Sequence, residues 1–207
     1  MFIAPSPLAP TNLLGGCIAE YENVWINTEE IIERIEEEAR QLPRSLQFEQ
    51  ATEYSVDTAQ TIETNKRRTN TDLNVSKAGA TNEFFRFLNN EYYLTVLGAQ
   101  RWYQNHFDLP ELHHAESYNL LKYQTGQEYK AHYDGGIIDR RCVSPILYLN
   151  DEYEGGELEF VHFGIKIKPK KGNLYLFPSN YAYSHIAHPV TEGTKYAIVT
   201  WLHGTTL

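Results

Sequence analysis

The second half of the chain is cut by glycines into short apolar stretches, and this punctuation limits the possible fold more than any other feature. From Glu116 onward, ESYNLLKY, QEYKAHYD, CVSPILYLN, ELEFVHF, GNLYLFP, SHIAHPV and KYAIVTWLH follow one another. Gly126, Gly135-Gly136, Gly155-Gly156, Gly172 and Gly193 separate most of them. Many short strands closed by turn residues point to a sandwich or a barrel. The 15 tyrosines fit such a body, because tyrosine favours half-buried strands and pocket walls.

The first half has a different rhythm. Residues 27–43 read as a helix, with Asn27 as cap, Glu30 at the capping-box position and Ile31, Ile35, Ala39 and Leu42 at helical intervals. Glu29, Glu30, Glu33, Glu36, Glu37 and Glu38 are most simply its solvated face. A second helix is expected over about 81–107, where Phe84, Leu88, Tyr92 and Val96 form a core stripe and Asn89-Asn90 marks an interruption. Between the helices, residues 49–80 are polar, with weak strand signals. They read as a long lid-like excursion carrying the basic triplet Lys66-Arg67-Arg68. At 207 residues one domain accounts for the whole chain, with helical support and the lid-like segment in about 1–115 and the β body in about 116–207.

Composition excludes some classes of function. A formal net charge of −9 argues against an extended nucleic-acid surface, since phosphate backbones demand Lys and Arg. No apolar run approaches the ~18 residues of a membrane span. Pro5, Pro7 and Pro10 break the apolar N-terminus, so it makes no signal-peptide core. Cys17 and Cys142 are far apart and read as two free thiols. The expected setting is cytoplasmic.

The chemistry is concentrated at His132-Tyr133-Asp134. On a strand, positions i and i+2 share a face, so an imidazole and a carboxylate project together. A third donor far along the chain, His185, would complete a facial triad of two His and one carboxylate, the donor set of non-haem Fe(II) oxygenases. Tetrahedral zinc is the competing metal, and His162, His188 and His203 compete with His185 as ligand.

Residues 123–201 resemble the catalytic half of the prolyl 4-hydroxylases. LKYQTGQEYKAHYD matches their Y-x-x-G-x-x-Y-x-x-H-x-D, and RCVSPILYLND with EGGELEF matches the strand and G-G-x-L-x-F that follow. PKKGNLYLFPS matches P-x-x-G-x-L-x-x-F. HIAHPVTEGTKYAIVTW matches the distal segment, whose ligand histidine lies four before the proline; that is His185, with His188 at a variable position. RCVSPILYLN is also similar to the equivalent strand of the hypoxia-sensing prolyl hydroxylases, with Ser144 in place of their Thr. The resemblance implies an α+β, mainly β fold: a double-stranded β-helix (jelly-roll, cupin-like) core with N-terminal supporting helices. It also implies Fe(II), 2-oxoglutarate and O2 as cofactors, with ascorbate a candidate accessory reductant.

In the family 2-oxoglutarate chelates iron, and its remote carboxylate needs a buried cation. Lys195 stands where the collagen-type enzymes carry theirs, and strand alternation sets it on one face with Ala197, Val199 and Trp201. A buried, unpaired ammonium is costly, so an inward lysine implies an anionic ligand. Ser144, Ile146 and Tyr148 share a face in the same way. The resemblance makes Tyr148 and Ser144 donors to that carboxylate and Tyr123 a contact near the iron end, while Trp201 reads as either a pocket wall or a core aromatic. Arg67 and Arg68 are candidates for substrate contact. The expected activity is prolyl 4-hydroxylation of a peptide or protein, with release of succinate and CO2. The alternatives are a free amino acid, another protein side chain or a nucleobase as substrate, or a jelly-roll module that keeps a metal without turnover.

Overall fold

A computed structural model describes residues 5–55, 60–62, 67–135 and 140–205. In the first half, a hairpin of β1 (Asn12–Gly15) and β2 (Ile18–Tyr21) precedes helix α1 (Thr28–Gln41). Then come β3 (Glu49–Gln50), β4 (Glu53–Ser55), β5 (Gln60–Ile62), β6 (Thr71–Asn74), α2 (Val75–Ala78) and the long helix α3 (Glu83–His106). The second half is almost entirely strand: β7 (Leu112–His114), β8 (Asn119–Gln124), β9 (Tyr129–His132), β10 (Arg141–Tyr148), β11 (Glu154–Gly155) and β12 (Leu158–Phe160). It continues with β13 (Ile165–Ile167), β14 (Leu174–Pro178), β15 (His185–Ala187), β16 (Val190–Glu192), β17 (Thr194–Val199) and β18 (Leu202–Gly204).

These strands form a large antiparallel sheet, ordered β1-β2-β14-β10-β17-β8-β6-β3, and a smaller one ordered β13-β12-β15-β9. This is the expected double-stranded β-helix. Alternation along each strand of the large sheet separates two environments. Leu147, Leu174, Leu176, Tyr196 and Ile198 point outward and join the core under α1 and α3. Their neighbours Ile146, Tyr148, Tyr175, Ala197 and Val199 point inward, between the sheets. The helices therefore cover one face and leave the other for the site.

Several expectations need correction. Asn27 sits at the start of α1 in a left-handed conformation and makes no side-chain cap bond, so the capping box does not form. Glu36 is only partly solvated: it accepts from Lys122 Nζ at 2.7 Å and from the Tyr196 hydroxyl at 2.8 Å, fastening α1 to the large sheet. Asn82 caps α3 by accepting from the Phe85 N–H at 3.1 Å. Asn89-Asn90 does not interrupt that helix, because the Asn89 amide oxygen accepts from Ser76 Oγ of α2 and is thereby satisfied. Phe85, not Phe84, is the fully buried phenylalanine; Phe84 lies at the core margin under Arg34.

Residues 49–80 are only partly an excursion, since β6 pairs with β8 through four residues and α2 is buried against α3. Lys66 and part of the lid-like segment lie outside the described residues. The β1–β2 hairpin, which pairs with β14, shows that strands also precede the helices. Cys17 and Cys142 are free thiols. No helix among the described residues is long and apolar enough to cross a membrane.

Candidate active site

Strand register assembles the triad. In the smaller sheet β9 and β15 run antiparallel with His132 directly opposite His185, so imidazoles distant in sequence meet with ring centroids 4.2 Å apart. Asp134, just past the end of β9, brings Oδ1 to 3.7 Å from His132 Nε2 and Oδ2 to 3.9 Å from His185 Nε2. The three donor atoms lie within 4.8 Å of one another and could hold one metal ion.

Both imidazoles are oriented in the same way. His132 Nδ1 lies 2.8 Å from the Lys130 carbonyl and His185 Nδ1 lies 3.0 Å from the Tyr183 carbonyl. A carbonyl only accepts, so each Nδ1 carries the proton and each Nε2 lone pair faces Asp134. Burial, then the neighbouring His185, pushes the His132 pKa down to about 3, which keeps the ring neutral as a ligand must be. Burial alone would raise the Asp134 pKa. The two imidazoles, Ser144 and Arg141 outweigh it and hold the carboxyl below its ordinary value.

None of the three competing histidines joins the cluster: His162 is exposed, and the other two are engaged elsewhere. His188 Nε2 pairs with Glu159 at 2.6 Å and His203 Nε2 with Glu116 at 2.7 Å. No cluster with cysteine ligands occurs among the described residues, so the tetrahedral thiolate zinc set is not formed. Two imidazoles and a carboxylate on one side of an ion fit Fe(II) with open positions.

A cavity of about 1270 Å³ runs from the triad along the inner face of the large sheet, and every site residue proposed from the sequence lines it. At its inner end, Lys195 is 1% exposed. Its ammonium donates to the Gly156 carbonyl at 3.0 Å and lies 4.4 Å from the centre of the Tyr123 ring. No carboxylate pairs with it among the described residues. Burial first, and then Lys168, brings its pKa down to about 7. The Tyr123 and Tyr148 hydroxyls make no hydrogen bond among the described residues, although both side chains line the cavity. A buried cation in a cavity also lined by two uncommitted hydroxyls is the environment an anionic ligand requires.

Ser144 is placed differently from expectation. Its hydroxyl donates to Asp134 Oδ2 at 2.6 Å and meets Ser179 Oγ at 2.8 Å, so it serves the carboxylate of the triad. Trp201 lies under the Arg141 guanidinium, 3.8 Å from the ring centre. Arg141 forms two bonds of 2.6 Å to Glu116 and one of 3.0 Å to the Asp134 carbonyl. Neither Glu116 nor Arg141 was singled out from the sequence. They are partners across distant segments, with no local signal beyond the presence of Arg141 in the RCVSPILYLN strand. Arg67 and Arg68 line the cavity, but their guanidinium groups bond to the protein itself: Arg67 to the Ala131 carbonyl, Arg68 to Thr52, Asn70 and Asp72.

Residues 118–203 match the model of the 2OG-Fe(II) oxygenase superfamily. The chain's curated relatives include prolyl 4-hydroxylases and a prolyl 3-hydroxylase. It is 34% identical over 118 aligned residues to probable prolyl 4-hydroxylase 9 of Arabidopsis thaliana, covering 43% of this chain and 41% of the relative. Prolyl 4-hydroxylase 13 of the same plant is 32% identical over 120 residues, with 44% of each chain covered. The match thus spans less than half the length of these relatives.

Among solved structures, a prolyl hydroxylase from Trichoplax adhaerens, in complex with a hypoxia inducible factor peptide fragment, superposes with a TM-score of 0.70 at 18% identity, covering 91% of this chain and 84% of the other. The collagen prolyl hydroxylase of Paramecium bursaria Chlorella virus-1, as its 2OG complex, gives 0.60 at 20% identity, covering 93% and 98%. At these identities the superpositions establish the shared fold.

Proposed function

We propose that the chain is an Fe(II)- and 2-oxoglutarate-dependent dioxygenase that 4-hydroxylates a prolyl residue within a peptide or protein, releasing succinate and CO2. The observation that carries this reading is Lys195, an ammonium buried, among the described residues, without a carboxylate partner in the same cavity as the triad. One end of the cavity suits a metal and the other suits a carboxylate, which is what an iron-chelating 2-oxo dicarboxylate needs.

Bound iron and 2-oxoglutarate supply the oxidation of an unactivated C–H bond by O2. The chain supplies placement. Lys130 and Tyr183 carbonyls fix the imidazoles, and Ser144 steadies Asp134. Lys195 would neutralise the remote carboxylate, the Tyr148 hydroxyl would be a further donor to it, and Tyr123 would contact the cosubstrate. Trp201, held beneath Arg141, walls the pocket. Apolar inner-face residues such as Leu121 and Val199 limit access of water.

A peptide substrate is supported by the size of the cavity, which exceeds the needs of one small dicarboxylate, and by the prolyl 4-hydroxylases among its relatives. The net charge of −9 disfavours a polynucleotide. The test offers proline-rich peptides, free proline and single-stranded oligonucleotides in parallel, with Fe(II), 2-oxoglutarate and ascorbate. Succinate release and a one-oxygen mass gain are followed. Hydroxyproline in a peptide is the expected product. Modification of free proline or the oligonucleotide, with every peptide untouched, would refute the prolyl-peptide assignment.

A further inference from the structure

The two ligand histidines are held unequally. His185 is 3% exposed and lies against Phe160 and Phe177, with ring centres at 5.9 and 5.0 Å, so the core locks its plane. His132 is on the outer strand of the smaller sheet. The Lys130 carbonyl fixes its Nδ1, but one hydrogen bond does not stop a ring from rocking about that bond. What blocks the rocking is Tyr129, whose ring lies flat on the imidazole at 3.4 Å and an interplanar angle of 12°. Tyr129 in turn lies beneath the Arg68 guanidinium, 5.1 Å from the ring centre.

Arg68 is well anchored for this contact. Its side chain is 11% exposed, and its three nitrogens donate to Asn70 Oδ1 at 3.1 Å, the Thr52 carbonyl at 2.9 Å and Asp72 Oδ2 at 3.1 Å. The flanking backbone pairs with the metal-bearing strand: Lys130 N–H donates to the Arg67 carbonyl, and Thr69 exchanges bonds with Glu128. Arg68 itself bridges Tyr129. The segment containing Arg68 is therefore joined to β9 at the place where the first ligand leaves it.

We propose that Arg68 is a positioning residue for the metal centre, holding Tyr129 against His132 so that Nε2 stays aimed at the ion. The inference rests on the metal-binding reading above. It gives Arg68 a role distinct from substrate contact, exerted through the Tyr129 ring. A polar fork that bonds three backbone or side-chain oxygens and covers one aromatic ring is suited to rigidity, because little of its motion remains to be lost when the metal binds.

The test is Co(II) binding to the full chain, read by titration calorimetry and by the ligand-field spectrum, with no turnover involved. Arg68→Ala and Tyr129→Leu should each weaken Co(II) about tenfold, the lower end of what loss of a ligand-supporting partner costs. Both should alter the band shape. The double variant should be no weaker than either single one, since both break the same stack. Asp72→Asn weakens the anchoring of residues 67–72 but leaves the stack, and should bind normally. Normal Co(II) affinity in Arg68→Ala would overturn the proposal, as would losses that multiply in the double variant. Equal weakening by Asp72→Asn would show that Arg68 matters only for local folding. Failure of the unaltered protein to bind Co(II) would instead refute the metal site itself.

Discussion

Replacing Lys195 by methionine separates the cost of the buried charge from its use. The lysine pKa falls from 10.5 to about 7 in the free protein, chiefly through burial. At about 1.4 kcal/mol per pKa unit this corresponds to a difference on the order of 5 kcal/mol between charged and neutral forms. Between the two values the unfolded chain binds more protons than the folded one. The stability of the free protein should therefore rise with pH from about 7 toward 10.5 and be lowest below that window. Methionine has nearly the same length and no charge, and loses the bond to Gly156 and the ammonium contacts with the Tyr123 and Tyr153 rings. Replacing a buried charge by an apolar side chain of similar volume commonly stabilises by about 1–4 kcal/mol. Urea unfolding at pH 6.5 should place Lys195→Met above the parent by a gain within that range, and the pH dependence above 7 should flatten. Added 2-oxoglutarate, in the presence of Mn(II), should stabilise the parent and leave the variant almost unmoved. If Lys195→Met is less stable than the parent and 2-oxoglutarate still protects it, Lys195 is not the unpaired buried cation the cavity requires.

His132→Ala and Asp134→Ala should abolish calorimetric Co(II) binding and succinate release, whereas His188→Ala, which loses only its pair with Glu159, should keep most of the metal affinity. Ser144→Ala leaves Asp134 Oδ2 without its donor and should weaken Co(II) binding by about 1–2 kcal/mol in the same titration. Gly172→Ala should prevent stable folding, because Gly172 has φ +73° and a Cβ there would run into the Trp25 carbonyl oxygen; loss of soluble protein or of the cooperative thermal transition is the readout. Phe85→Ala, at a fully buried position on α3, should cost about 3–5 kcal/mol in urea unfolding.

Legibility from sequence followed the physical range of each interaction. Alternation along 195–201 is local, and it set Lys195, Ala197, Val199 and Trp201 on the face that lines the cavity. His132 and Asp134 could be paired from strand period alone, while the choice of His185 over His188 needed the family motif. Their distinction in space comes from a ladder register and from Glu159. Capping at Asn27 failed because a left-handed backbone turns that side chain away from the helix start, a property of the preceding chain path. Asn89 was misread because its partner Ser76 lies on another helix. The same limit hid the Arg141–Glu116 pair, the Ser144–Asp134 bond and the Arg68–Tyr129 contact, each made between residues that the fold alone brings together.

The pairing of His132 directly across from His185 has a consequence for mechanical and kinetic behaviour. An ion bound to both residues would act as a clip across two neighbouring strands, closing a long loop that includes β10 through β14. Loop closure by such a clip removes conformational freedom from the open ensemble far more than from the folded one. The metal should therefore slow the opening of this part of the barrel out of proportion to the few bonds it makes. Hydrogen exchange would show that as protection concentrated in β9, β15 and the strands between them, with the β1–β2 hairpin and α1 much less affected.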